Sequence, residues 1–298
     1  MRGTLRSNDL FTMALRKHGT ALLLVAIGFA TLYLNVVRAL VADWTIDENY
    51  SHGFLIVPIA LYFVWERRTR LAAMAARPSR CGLVVVAASL LTLTVGVLGS
   101  EAFLTRISML GTLGGAILFL GGWSHLRALM FPLAFLLLMI PVPALVFNEI
   151  AFPLQIFASR AGEFTLSALS IPVLREGNVL VLANTSLEVA EACSGIRSLV
   201  SLLTLGIVYG YFSDARSWVR TVIAVSTVPV AVVANGVRVA GTGIAAHFVG
   251  PAAAEGFLHT FSGWLVFIVS FVLMYSCHRF LVRLSPVGRL RQPLGAAA

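Results

Sequence analysis

Three residues in this 298-residue chain combine reactive types with unusual surroundings. Cys193 stands in Glu191-Ala192-Cys193-Ser194-Gly195-Ile196-Arg197, after a strand-like run and at the start of an apolar helical one. A thiol at a helix N-terminus feels the positive end of the dipole, which raises its thiolate fraction. Arg197, one turn on, adds positive charge, and it also has Glu188 and Glu191 as rival partners. Arg238 interrupts the apolar run Ala234-Asn235-Gly236-Val237-Arg238-Val239. An arginine within a membrane span costs about 2.5–3.5 kcal/mol even on lenient scales, so such a residue implies a function or a structural ion pair. Glu191 and Glu255 are the candidate acids for that pair. Asn235, one turn before Arg238 on the same helix face, can orient a side chain or a peptide carbonyl. His259 lies in Phe257-Leu258-His259-Thr260-Phe261 and titrates near neutrality, as a general acid–base must. Each residue also has a plain reading: a small packed thiol, an ion-paired arginine, an interfacial histidine.

A fourth cluster, Trp44-Thr45-Ile46-Asp47-Glu48-Asn49-Tyr50-Ser51-His52-Gly53, is dense in hydrogen-bonding groups. Tyr50 suits a membrane interface, and His52 competes with His259 for the role of base. No zinc-type ligand spacing occurs among Asp47, Glu48 and His52, so neither metal nor cofactor is expected. The other cysteines, Cys81 and Cys277, fall at the opposite ends of apolar runs.

The elements that position these residues are membrane spans. Hydrophobic residues make up 58% of the chain and charged ones only 12%, about half the usual share of a soluble domain. Apolar runs near 20 residues predict spans at roughly 20–41, 54–65, 82–99, 103–122, 128–147, 195–212, 219–247 and 257–278. The first run is too long for a signal peptide and reads as an uncleaved span. Gly111 and Gly115 form a small-xxx-small pair suited to close helix approach. The net charge of +9 comes almost wholly from arginines in short connecting segments, a topogenic pattern that argues against nucleic acid. Segments 1–19, 66–80, 123–127, 213–220 and 279–298 hold 16 of the 22 basic residues and three of the 13 acids. That side is the cytoplasmic one, with both termini inside and the reactive residues outside.

Residues 148–194 form the longest outer segment. It opens with an amphipathic run, Asn148 to Ser170, expected at the interface or packed on the bundle. Two β-rich runs about Gly177-Asn178 then predict a hairpin, and Asn184-Thr185-Ser186 a second turn. The expected fold is all-α and polytopic: about eight spans in a single domain over 1–298, with a small hairpin outside and a basic cytoplasmic tail at 279–298.

These motifs resemble the exosortase family, in particular exosortase A. The resemblance rests on Asp47 to Gly53, Ile140-Pro141-Val142-Pro143, Glu188 to Leu199, Ala234 to Val239 and Ala254 to Trp264, and covers nearly the whole chain. It implies a Cys193, Arg238, His259 triad, and the neighbouring Glu191, Arg197, Asn235, Tyr50 and His52 are the residues expected to bind substrate or support it. It also implies a bacterial inner-membrane cysteine transpeptidase or protease acting at the periplasmic face. Its partners would be PEP-motif tail proteins bearing a transmembrane span, the membrane lipids and an acceptor the sequence does not identify. The competing classes are a plain hydrolytic protease, a non-enzymatic assembly scaffold for exopolysaccharide, and a transporter.

Overall fold

The structure is a computed structural model and describes residues 7–183, 185–189, 196–250 and 257–284. The chain divides into two compact units, Met1–Pro143 and Ala144–Ala298.

The first unit carries α1 (Ser7–Ile46), a 3₁₀ turn (Glu48–Tyr50), α2 (Gly53–Glu66), α3 (Arg68–Ala73), α4 (Cys81–Leu98), α5 (Ala102–Gly121), α6 (Trp123–Phe135) and a second 3₁₀ turn (Leu136–Met139). Local chemistry sets the boundaries. Asp47 caps the first 3₁₀ turn by accepting from the Asn49 amide at 2.8 Å, and Glu101 caps α5 through the Phe103 amide at 3.2 Å. Gly122, at φ +81°, turns the chain out of α5 into a left-handed conformation that a side chain would strain. The expected glycine-mediated approach is present: Gly115 meets Val86 and the carbonyl of Gly82, and Gly111 faces Ser89, so α4 and α5 pack backbone to backbone. Polar side chains bind α1 to α5. The Tyr33 hydroxyl shares a 2.7 Å hydrogen bond with Thr112, and Ser108 donates to it at 3.3 Å.

The second unit holds α7 (Ala144–Ala168), strands β1 (Val173–Glu176), β2 (Val179–Leu182) and β3 (Ser186–Glu188), then α8 (Ile196–Ser213), α9 (Ser217–Val249) and α10 (Phe257–Leu284). The strands form an antiparallel sheet in the order β1-β2-β3. Gly177, at φ +66°, makes the hairpin turn that the sequence predicts. The amphipathic segment is α7. It packs on α9, with Gly162 against Val239 and Gly236 against Ala161. Leu180 and Leu182 of β2 join Ala158, Leu166, Ile171, Val189 and Val239 in one buried cluster. The sheet is thereby seated on α7 and α9.

Among the described residues, five helical segments are long and apolar enough to cross a membrane: Leu23–Ile46, Cys81–Leu98, Ala102–Gly121, Ser217–Val249 and Phe267–Leu284. A sixth is reached if Trp123–Met139 and Ala144–Ala168 count as one broken span. The other two expected spans are shorter apolar helices, Gly53–Glu66 and Leu199–Ser213. Helix length among the described residues supports five or six crossings, and the expected eight are not confirmed. The spans leave large apolar side chains outward, such as Val84 at 70% exposure and Leu91 at 68%, as lipid-facing helices do.

Candidate active site

In the second unit, packing fixes the level of each helix. On α8, Gly206 lies against Thr227 and Ala224 of α9, and Gly210 against Arg220, so α8 and α9 run antiparallel. Gly206 also touches Met274 of α10, and the Tyr209 hydroxyl meets His278 Nδ1 at 2.7 Å, so α8 and α10 run parallel. Met274 packs with Val219 and Ile223 of α9. Through Gly206, Met274 of α10 stands level with Ala224 and Thr227 of α9; Arg238 is eleven to fourteen residues further along α9, and position 259 is fifteen residues back along α10. At 1.5 Å per residue Arg238 stands about 17–21 Å and position 259 about 22 Å from that level, at the same end of antiparallel helices. Ile196, the start of α8, is ten residues before Gly206 and reaches the same end, about 15 Å from its own contact.

The sheet brings the preceding chain to this end as well. Val189, four residues before Cys193, is buried in the same cluster as Val239, the neighbour of Arg238. Asn178 holds it there: the Val189 amide donates to the Asn178 carbonyl at 2.9 Å, and Asn178 Nδ2 donates back to the Val189 carbonyl at 3.3 Å. Ser159 of α7 donates to the Gly177 carbonyl at 3.0 Å and ties the hairpin tip to the helix.

Of the sequence-derived residues, Arg238 is half-buried and Asn235 is buried at 3% exposure, both on one face of α9. Position 259 is the third residue of α10 and Arg197 the second of α8; their side chains lie outside the described residues. Cys193, Glu191 and Glu255 also lie outside them.

Tyr50 and His52 belong to the first unit, where they are built into a polar end. His52 Nε2 is 3.1 Å from the Leu138 carbonyl, and Trp44 Nε1 donates to the Met139 carbonyl at 2.9 Å. Gly53 is required here, because a Cβ would strike the Trp44 ring. Burial pushes the His52 imidazole below its usual range, with the carbonyls of Leu138 and Asn49 opposing. Burial raises the Tyr50 phenol, offset by a hydrogen bond to the Val142 backbone.

Two features escaped sequence reasoning. Arg106 of α5, 6% exposed, is ion-paired with Asp43 of α1. The test applied to Arg238, a cation inside an apolar run, would have flagged it. At the other end of the second unit, His278 joins Tyr209 to Asp214, whose Oδ2 is 3.8 Å from Nε2. Asp214 is held below the usual carboxylate range, chiefly by Arg216, which donates to it at 2.7 Å.

These features define a class: a polytopic α-helical membrane protein with a small three-stranded sheet seated on α7 and α9. The chain matches the family described as transmembrane exosortase over residues 44–276, and it belongs to that family. No curated protein and no solved structure matches it.

Proposed function

We propose that this chain is a membrane-embedded cysteine transpeptidase that cleaves the C-terminal PEP-type sorting signal of exported proteins. The Cys193 thiolate attacks a peptide carbonyl just outside the membrane. Arg238 holds the oxyanion of the tetrahedral intermediate, with Asn235 one turn away to orient the peptide. As the intermediate collapses, the carbon–nitrogen bond breaks, the leaving amine takes a proton from His259, and a thioester remains on Cys193. An acceptor then gives its proton to His259, attacks the thioester and releases the thiolate. Glu191 and Arg197 flank the thiol and set its local charge. With an amine or hydroxyl acceptor the reaction is transfer; with water it is hydrolysis.

The observation that carries this reading is helix register. Position 259 and Arg238 stand at the same end of α10 and α9 relative to the level where Gly206 meets both helices, and Val189, the last described residue before Cys193, is buried with Val239. A transporter or scaffold gives no reason for Arg238 and position 259 to stand at one end of the helices just after the chain leaves the sheet at Val189. The charge distribution supports placing the site at the periplasmic face of a bacterial inner membrane, with both termini cytoplasmic.

The test is co-expression with a PEP-motif tail protein and mass measurement of its new C-terminus. Cys193→Ala should abolish tail removal while leaving membrane insertion intact. Normal processing by that variant excludes thiol catalysis. A processed product ending in a free carboxylate identifies hydrolysis; one carrying an added group identifies transfer.

A further inference from the structure

The first helix has two opposite faces. Tyr33, Leu40 and Trp44 are buried against the first unit. On the other side Gly28, Thr31, Asn35, Arg38, Ala42 and Thr45 form an exposed stripe. Their spacing alternates three and four residues, the repeat that keeps one seam facing a partner helix. The stripe rises about 26 Å along the axis, most of a bilayer's hydrocarbon thickness. Space beside Gly28 is open, so a backbone can approach there. It lies almost wholly ahead of residues 44–276, the part shared with the family.

Two side chains on this stripe need a partner. The hydroxyls of Thr31 and Thr45 are satisfied by carbonyls of their own helix at 2.7–3.0 Å. Asn35 and Arg38 have no hydrogen bond or ion pair among the described residues. Asn35 lies well inside the apolar run whether its bounds are taken as 20–41 or as Leu23–Ile46. A carboxamide there is too short to reach headgroups, and lipid offers it nothing. Arg38 is one turn outward on the same face, and both side chains present N–H donors. Two donors at neighbouring levels, one of them a cation, fit a single carboxylate.

We propose that this face of α1 is the docking site for a membrane-spanning helix of a resident partner protein. That helix carries one Asp or Glu at the depth of Asn35 and Arg38. A second copy of this chain is a poor occupant: copies in one membrane are parallel, so symmetric packing sets Arg38 against Arg38 in a low dielectric. A passing substrate is also a poor occupant, because it would leave the guanidinium facing lipid between encounters. A resident acid covers it throughout.

The test uses a synthetic single-span Leu/Ala peptide with small residues at the matching seam positions. One form carries Asp at the Arg38 depth and its twin carries Leu. Association with the full-length protein in liposomes is read by energy transfer and does not depend on catalytic activity. The Asp peptide should bind wild type at least about tenfold more tightly than its twin. Arg38→Lys should keep most of that preference and Arg38→Leu should abolish it. Thr31→Ile, which fills the seam without touching the charge, should weaken both peptides. Equal binding of the twins, or a preference that survives Arg38→Leu, overturns the proposal. So does self-association of the protein without peptide that Asn35→Leu removes, which would assign the face to a second copy.

Discussion

The Asp43–Arg106 pair offers a quantitative test of how the first unit is held. The Arg106 side chain is 8% exposed, so deleting Asp43 strands a guanidinium inside the helix packing. Breaking a fully buried pair costs about 3–5 kcal/mol, and exposed pairs are worth about 0–1 kcal/mol. Asp43 is 38% exposed, so solvent relieves part of the loss, and Asp43→Leu should cost about 2–3 kcal/mol. Arg106→Leu should cost only about 1 kcal/mol, because the remaining carboxylate already reaches water. The double variant restores an apolar contact between α1 and α5 and should fall close to the Arg106→Leu value. The coupling energy is then about 2–3 kcal/mol. Unfolding in mixed detergent micelles, followed by tryptophan fluorescence for all four proteins, measures it. A coupling below about 0.5 kcal/mol, or equal costs for the two single variants, refutes the argument.

Other outcomes follow from the same structure. Gly82→Ala should destabilise by about 1–3 kcal/mol, because its Cβ would strike the backbone of Phe119; chemical unfolding checks this. His52 is held neutral, so below its unfolded pKa of about 6.5 the unfolded chain binds the extra proton. Stability should therefore fall as pH drops from 7 toward 5, and His52→Gln should flatten that slope in a series of melting temperatures. Asp214 is held ionised by Arg216, so its contribution is present above the unfolded value near 3.8 and lost as pH falls below it; Asp214→Asn should remove that acid-side loss. Arg238→Lys should fail to process a PEP-motif substrate, because lysine gives a point charge where a planar fork is required.

Local chemistry was legible where it repeats within a few residues. The turn at Gly177-Asn178, the amphipathic α7 and the glycine contact of α4 with α5 all follow from spacing and residue type. Span number was less legible, since apolarity alone does not fix helix length: Gly53–Glu66 is apolar throughout yet too short to cross alone. The 3₁₀ turn at Leu136–Met139 has the composition of a span, and the prolines at 141 and 143 end the helix there. Pairings between distant positions left no local signal. Asp43 with Arg106 and Tyr209 with His278 join residues more than 60 positions apart, and only packing brings them together. For the candidate site, the sequence supplied the residue types and their helix ends. The structure adds the register that relates Arg238 to position 259 and the sheet that anchors Val189.

The central claim is a covalent intermediate on one sulfur. Intact-mass measurement of the full-length protein, quenched at low pH during turnover of a PEP-motif substrate, tests it most directly. The account predicts an adduct equal to the acyl portion of the substrate, released by hydroxylamine and absent from Cys193→Ala. A processed substrate with no adduct at any time, or an adduct that persists in Cys193→Ala, contradicts it.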